Sequence, residues 1–249
     1  MQNKWPTLTK APIDVALFQL KFDMGDSEIS DFRRYDSGFR TEFPINKADY
    51  SSEINIPGSR IPLGVSQVTG TSKTRITGYT YISQDQKSKI AIGEGSFTFI
   101  DEHQYKDWNA FVENINKHLS VVQPILNGHV MTRISVRFIN RFVFDEFTNP
   151  LDYFRTAVSA SDPEAVPYPV GKYSFNMNIP IDDSTYSIVK QDFDRVADKV
   201  NYIFDIDVLT RCNLMFDQGI IVDSLTKLRE IKDNIFFGNI TEKLIESCN

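Results

Sequence analysis

Cysteine and histidine are both scarce in this chain. Its 249 residues include two cysteines and three histidines. Cys212 and Cys248 cannot form a disulfide framework, and without a secretory signal they indicate free thiols in a reducing compartment. His103, His118 and His129 have no second histidine or cysteine at metal-ligand spacing. The sequence therefore predicts neither a zinc site nor a bound cofactor.

Long apolar runs are missing as well. No window approaches the ~18 consecutive apolar residues of a membrane span, and the polar residues 1–10 lack the apolar core of a secretory signal. We therefore expect a cytoplasmic protein without a membrane partner. The net charge of −6 and the pI near 5.2 argue against non-specific nucleic-acid binding, which needs clustered cations.

Recognisable catalytic motifs are the third absence. The sequence has no nucleophile elbow, Walker loop or complete dinucleotide fingerprint. Gly93-Glu94-Gly95 begins like such a fingerprint, but it lies inside a predicted strand and is more typical of a β-bulge. Because catalytic groups often come from distant segments, this pattern favours a non-enzyme without excluding an enzyme.

Aromatic residues are plentiful, and 19 phenylalanines with 10 tyrosines favour a sheet-rich fold. Their patterns predict strands at 13–22, 70–83, 89–100, 129–144, 173–181, 186–193 and 200–210. Apolar stripes at helical spacing predict a helix within 104–126 and a final helix over 222–247, bent or divided at Gly238. A short helix at 27–34, capped by Ser27, is also expected.

These elements predict an α+β fold, with an antiparallel or mixed sheet and amphipathic helices on one face. We expect an N-terminal β-rich unit at 1–158, which contains the first long helix, and a C-terminal β-β-β-α unit at 172–249. The connection at 159–171 contains three prolines. The order of elements suggests two similar β-β-α units, and one continuous domain is the alternative.

Three arginines share one face of the strand predicted at 129–144. Side chains alternate along a strand, which places Arg133, Arg137 and Arg141 together and Asn140 on the opposite face. These four residues are our candidates for binding a small anionic ligand, because guanidinium and amide groups donate hydrogen bonds to anions. The alternative is that the arginines pair with carboxylates of neighbouring strands, as a covered face would require.

Two further pairs are candidates for a site. Asp205 and Asp207 lie two residues apart on one predicted strand, so their carboxylates point the same way. They either bind a divalent cation or form salt bridges with the arginines across the sheet. Phe236 and Phe237 point in adjacent directions from the final helix. They either contact a protein partner or second copy, or lie covered within their own domain.

Four segments form a recognisable set in this order. They are Ala11-Pro12-Ile13-Asp14-Val15-Ala16, Tyr105-Lys106-Asp107-Trp108, the strand from Arg133 to Asn140, and the helix from Phe236 to Leu244. They resemble the API-x-EA opening, Y-x-x-W, R-[IV]-x-[LV]-R-[YF]-[IV]-N and F-x-x-x-IT-x-x-L landmarks of a sporadically distributed bacterial protein family of unknown function. Val15 stands where that family usually has Glu. The nearest carboxylate, Asp14, is predicted to point to the opposite face.

The resemblance implies no activity, and a patchy distribution is shared with horizontally transferred defence and toxin–antitoxin genes. From the residues we favour a non-catalytic binding or interaction module. The alternative is a metal-dependent enzyme acting on phosphate-containing substrates, in which the arginines hold phosphate and Asp205 with Asp207 holds the metal. That enzyme requires a cleft in which Arg137 and Asp207 do not neutralise each other.

Overall fold

The fold is seen in a computed structural model of the chain. It describes residues 4–55, 71–103, 105–145, 149–157, 170–196 and 199–249, with only the backbone for 52–55 and 71–73. Most of the connection expected at 159–171 therefore lies outside the described residues.

Nine strands within the described residues form one antiparallel sheet. They are β1 (Ile13–Phe22), β2 (Ile45–Asn55), β3 (Thr71–Ile82), β4 (Ser88–Gly93), β5 (Ser96–Glu102), β6 (Val130–Phe144), β7 (Lys172–Pro180), β8 (Thr185–Val196) and β9 (Lys199–Met215). The helices are α1 (Asp36–Arg40), α2 (Trp108–Leu126), α3 (Gln218–Asn239) and α4 (Glu242–Ser247), with 3-10 turns at Ile29–Tyr35 and Pro150–Asp152. The sheet and helices confirm an α+β fold dominated by its antiparallel sheet.

The strand order is β2-β3-β4-β5-β1-β6-β9-β8-β7. Outward from the central pair β1 and β6, the strands follow in the reverse of their chain order, four on the β1 side (β5 to β2) and three on the β6 side (β9 to β7). The strand next to each centre, β5 or β9, leads into a long helix, α2 or α3. The two expected units thus share one sheet, because β6 of the first unit pairs with β9 of the second.

The helices pack against one face of this sheet, which we call the helix face. On β6 this face presents Ile134, Val136 and Phe138, which are buried, as alternation along a strand requires. Phe111 of α2 contacts Phe138 at a centroid distance of 5.9 Å. Phe236 of α3 stacks on Phe204 of β9 at 5.9 Å. We call the opposite face, which bears Arg133, Arg137 and Arg141, the outer face.

The start of α2 shows how local sequence sets an element. The Asp107 carboxylate accepts a hydrogen bond from the backbone N–H of Ala110 at 2.9 Å, and so satisfies one of the helix's free donors. Phe111, Ile115 and Leu119 then recur every four residues, and all three are buried. This stripe fixes which side of α2 meets the sheet.

The strand predicted at 89–100 is in fact a hairpin, β4 and β5. Glu94 and Gly95 turn the chain, and Gly95 has a φ of +67°. A Cβ at Gly95 would lie 2.6 Å from the Phe22 carbonyl oxygen, so glycine is needed for both conformation and space. The prediction of a bulge within one long strand was therefore wrong. Both strands are rich in apolar residues, and the turn between them is too short to mark a boundary in the amino-acid composition.

Other boundaries also differ from expectation. The final helix divides at Ile240 and Thr241 rather than at Gly238, which stays inside α3. The Thr241 hydroxyl accepts from the Leu244 N–H and starts a new helix there. The short helix begins at Ile29 with Glu28, not Ser27, at its N-cap. Strand β2 lies in a segment where the sequence indicates only loop and short strand.

In the described part of the chain, none of the helices has the length and apolar character needed to cross a membrane.

Candidate functional site

The predicted arginine stripe lies on the outer face, and its central member is paired. Arg137 donates to both oxygens of Asp205, from Nε to Oδ1 at 2.9 Å and from one Nη to Oδ2 at 2.6 Å. Antiparallel register places Arg137 beside Asp207 and Ile139 beside Asp205, so the contact is diagonal. The Arg137 side chain is 41% exposed and that of Asp205 is 8% exposed. The guanidinium therefore neutralises a nearly buried carboxylate.

The other two arginines have partners on β1. Arg133 donates to the side-chain carbonyl of Gln19, and Arg141 Nε donates to Asp14 Oδ2 at 2.8 Å. Asp14 also contacts the His103 ring at 2.7 Å. The chain bulges between Ile13 and Val15, which leaves Asp14 as the extra residue and brings it to Arg141. The expectation that Asp14 points away from the outer face was therefore wrong, because a bulge interrupts the alternation.

Asp207, the second carboxylate of the predicted pair, is not engaged like Asp205. Its Oδ1 is buried and has no hydrogen-bond partner among the described residues. Burial raises the pKa of Asp207, while the charges of Arg133 and Arg137 oppose the shift. No group of three or more His, Cys, Asp or Glu residues suited to a metal ion occurs in the described ranges. The outer face thus carries charges that are mostly occupied with one another.

Asn140 is separated from the arginines, as strand alternation predicted. It lies on the helix face, is buried, and donates from Nδ2 to the Phe204 carbonyl at 2.9 Å. It also lines a cavity of about 250 Å³ at the end of the sheet where β1 begins. We call this space the seam cavity, because residues of both halves of the sheet enclose it.

The seam cavity is enclosed by four parts of the chain. These are residues 5–8 with 11–13, residues 105–108, Asn140, and one side of α3. Phe236 and Phe237, the predicted interface residues, belong to its wall. Phe237 stacks on Trp5 with ring centroids 5.3 Å apart and planes inclined by 11°. Both phenylalanines are therefore in contact with aromatic rings of their own chain.

The N-terminal segment is fixed over this cavity by the C-terminus. The backbone N–H of Lys10 donates to the Cys248 carbonyl at 2.8 Å, and that of Thr9 donates to Asn249 Oδ1 at 3.1 Å. Lys4 reaches Asn234 of α3 at 3.4 Å. These hydrogen bonds lie on both sides of residues 5–8, which line the cavity.

A compact charged cluster from α3 also lines the cavity. Lys232 Nζ lies 2.5 Å from Asp233 Oδ1, and Arg229 Nε lies 3.4 Å from Asp233 Oδ2. Lys232 stands over the ring of Phe138, 4.4 Å from its centroid, and Arg229 lies 5.3 Å from the centre of Trp108. Burial lowers the pKa of Lys232, and Asp233 opposes that shift.

Tyr105 completes the wall opposite α3. Its ring meets Phe138 edge-on at 5.4 Å and Phe111 at 5.8 Å. Burial raises the pKa of Tyr105 well above its usual range, so the hydroxyl stays protonated at neutral pH. The cavity therefore combines aromatic walls, a hydroxyl, an amide and a charged cluster, which is the composition of a small-ligand site.

A second cavity, of about 690 Å³, lies near the start of β6. His129 is part of its lining, and both ring nitrogens are occupied, by the Ile125 carbonyl at 2.8 Å and by Met24 and Ser27 at 3.2 and 3.1 Å. His129 therefore ties two loops together and has a structural explanation.

Sequence reasoning missed the charged cluster of α3 and both tryptophans of the seam cavity. The sequence did contain a signal for the charged cluster. Arg229, Lys232 and Asp233 stand at positions i, i+3 and i+4 of the helix, and Phe236 follows at i+7. This spacing puts charges on the same side of the helix as an aromatic residue that packs on the sheet. Charged side chains on that side require a polar or ligand environment.

Comparisons with known protein families, with curated proteins and with solved structures found no match.

Proposed function

We propose that this chain is a non-catalytic binding protein, and that its ligand site is the seam cavity. The cavity is small and combines five aromatic side chains with polar and charged groups that can orient a ligand. Its polar groups come from three separate elements: Tyr105 before α2, Asn140 on β6 and Lys232 on α3. A protein partner remains the alternative ligand class, and it would bind elsewhere on the surface.

One observation carries the proposal. Four segments stand out in the sequence, near residues 11, 105, 133 and 236, and each contributes residues to this one cavity. Ile13 and Asn140 are directly opposed across β1 and β6, and Trp108 and Phe236 belong to the two long helices. Segments spread over more than two hundred residues of the chain supply one concave site, which supports a shared binding role.

The alternative of a metal-dependent enzyme on the outer face has less support. It needs a free carboxylate pair next to free arginines, whereas Arg137 holds both oxygens of Asp205. A phosphate or a metal would have to break this pair. The distances between Arg137 and Asp205 favour the other interpretation, in which the arginines pair with carboxylates of the sheet instead of binding an anion.

The strand order further supports the interpretation of the chain as two similar units. We place their boundary between α2 and β6 instead of at 159–171, since each unit then contains a central strand, a meander and a long helix, with four meander strands in the first unit and three in the second. Membership of the bacterial family of unknown function, and any link to defence systems, stay predictions.

Tryptophan emission gives a direct test, because the chain has two tryptophans and both line the seam cavity. A panel of small aromatic and aliphatic compounds would be titrated while emission and melting temperature are recorded. We expect a binder to change the emission and to raise the melting temperature with the same dissociation constant. Stabilisation by a compound that leaves both tryptophans unchanged in emission would place the ligand site elsewhere.

Trp5→Phe and Trp108→Phe serve as matched variants. Each leaves one reporter, and the ligand is expected to perturb both. A response confined to Trp5 would show that the compound contacts the N-terminal segment without entering the cavity.

A further inference from the structure

We infer that the seam cavity selects small aromatic anions, with the ring between the aromatic walls and the anionic group at Lys232 and Arg229. This inference rests on the proposed function and specifies its ligand class. It follows from the charge, the walls and the size of the cavity.

The charged cluster has an excess of positive charge. Lys232 and Arg229 share one carboxylate, Asp233, whose two oxygens face one cation each. The side chains of Lys232 and Asp233 are 11% and 15% exposed and that of Arg229 is 35% exposed, so water reaches the cluster mainly at Arg229. At the rim, Lys106 and Asp107 are exposed and carry opposite charges. A single negative charge on a ligand would balance the cluster.

The cluster favours an anionic ligand because burying a cation costs free energy. A charged amine in a low-dielectric site is stabilised when an anion lies close to it. Asp233 is shared with Arg229, so it compensates Lys232 only in part. A ligand carboxylate would add a charge-assisted hydrogen bond, which is stronger than a neutral one. The same site would repel a ligand cation.

The walls favour a planar ring. Trp5 and Phe237 stack on each other and form one aromatic wall, and Trp108 lines the cavity from α2. Aromatic rings stack or meet edge to face over centroid distances of about 4.5–7 Å. The protonated Tyr105 hydroxyl and the Asn140 amide offer hydrogen bonds to polar substituents on such a ring.

The volume of the seam cavity limits the size of its ligand. At about 250 Å³ the cavity lies below the range of roughly 300–1,000 Å³ found for drug-sized ligands. One ring or two fused rings with a short acidic group fit this space better than a nucleotide or a peptide.

The test compares three ligands of nearly equal shape: 2-naphthoate, 2-naphthamide and 2-(aminomethyl)naphthalene. Affinity would be measured by tryptophan emission and by calorimetry. We expect the anion to bind at least about tenfold more tightly than the amide, as a charged hydrogen bond provides, and the cation to bind most weakly.

Substitutions at Lys232 then locate the charge preference. Lys232→Met is expected to reduce the preference for anion over amide to within about threefold, and Lys232→Arg to retain it. The matched control is Lys243→Met. Lys243 on α4 stands over Tyr153 at 4.5 Å and faces Asp152, so it makes the same kinds of contact at a more exposed position outside the cavity. The control should keep the full preference.

The outcomes separate this inference from the proposed function. Equal or tighter binding of the amide, with both tryptophans responding, would overturn the anion preference and leave the cavity as the ligand site. Loss of preference in Lys243→Met as well as Lys232→Met would also overturn the assignment to Lys232. No binding by any of the three ligands would count against both. The wild-type series decides the charge preference even if Lys232→Met fails to fold.

Discussion

The two halves of the sheet share a strand order but are filled differently. In the N-terminal half, α2 packs on β5 and β1 with an almost entirely apolar contact. Its polar exception is His118, which is buried among the rings of Phe39, Phe43 and Phe99 at 5.1–6.4 Å. Burial lowers the pKa of His118 to about 4, so the ring is neutral in this core at neutral pH.

The C-terminal half instead contains a buried polar network. Gln191 of β8 donates to Thr156 at 2.8 Å and accepts a hydrogen bond from the Tyr202 hydroxyl. Asn239, at the end of α3, donates to the same Thr156. Thr156 from the segment 149–157 is the shared partner of this network. The Asn239 Oδ1 atom is buried and has no hydrogen-bond partner among the described residues.

The difference shows how each half is closed. The N-terminal half is closed by α2 together with residues 29–43, whose Phe39 packs on Tyr81, and the C-terminal half is closed by α3 together with residues 149–157, whose Phe154 stacks on Tyr202. The seam cavity lies between them, where the beginning of α2 and the later part of α3 both border the start of β1. The site thus occupies the space that neither half fills by itself.

The largest effect is expected at Phe154. Its ring is fully buried, 3.9 Å from the Tyr202 centroid and 5.3 Å from that of Phe142. Phe154→Ala should lower the free energy of unfolding by about 4 kcal/mol, because it leaves a cavity in the C-terminal core. Urea unfolding measures this. Phe175→Ala, at a half-buried ring of the edge strand β7, is the control and should cost about 1 kcal/mol. Equal losses would show that Phe154 does not close that half.

The second-largest expected effect is the dependence of the unfolding free energy on pH, which arises from His118 in the N-terminal half. With a pKa of about 4 when folded and about 6.5 when unfolded, His118 binds more protons in the unfolded state between these values. Stability is therefore lost as pH falls through this window, by about 3 kcal/mol at pH 4. His118→Phe should remove this component. The measurement is the difference in unfolding free energy between variant and wild type from pH 7 to pH 4. A constant difference would contradict the neutral, buried histidine.

The smallest effect is expected where the halves join on the outer face. Arg137→Gln leaves the nearly buried Asp205 without its partner and should cost about 2 kcal/mol, less than a fully buried pair because Arg137 is half-exposed. Arg141→Gln, at a more exposed pair, should cost under about 1 kcal/mol. Adding Asp205→Asn to Arg137→Gln should recover part of the loss. Phosphate-dependent stabilisation of wild type that Arg137→Gln abolishes would instead revive the anion site on this face.

Sequence patterns predicted those features that depend on local alternation. The bounds of β1 were predicted, and alternation on β6 placed Arg137 and Asn140 on opposite faces. The pairing of arginines with aspartates was one of two open alternatives, because alternation gives the face but not the strand that lies beside it.

The seam cavity depends on contacts that no local pattern contains. Trp5 meets Phe237 across more than two hundred residues, and Lys232 appeared to be an ordinary charged residue of an amphipathic helix. The bulge at Asp14 also needs the register with β6, which only the folded sheet defines. Tertiary packing therefore brought together residues that the sequence had singled out separately, such as Asn140 and Phe236, and residues that it had not, such as Lys232.

The most direct test of the central claim, that the seam cavity is the ligand site, uses nuclear magnetic resonance. In the ¹⁵N-labelled chain the indole N–H groups of Trp5 and Trp108 give two separate signals, and both residues line the cavity. We expect 2-naphthoate to shift both with one dissociation constant, while the amide signals of Asp205 and Asp207 on β9 stay in place. Shifts at Asp205 and Asp207 with unchanged indole signals would contradict the account and move the site to the outer face.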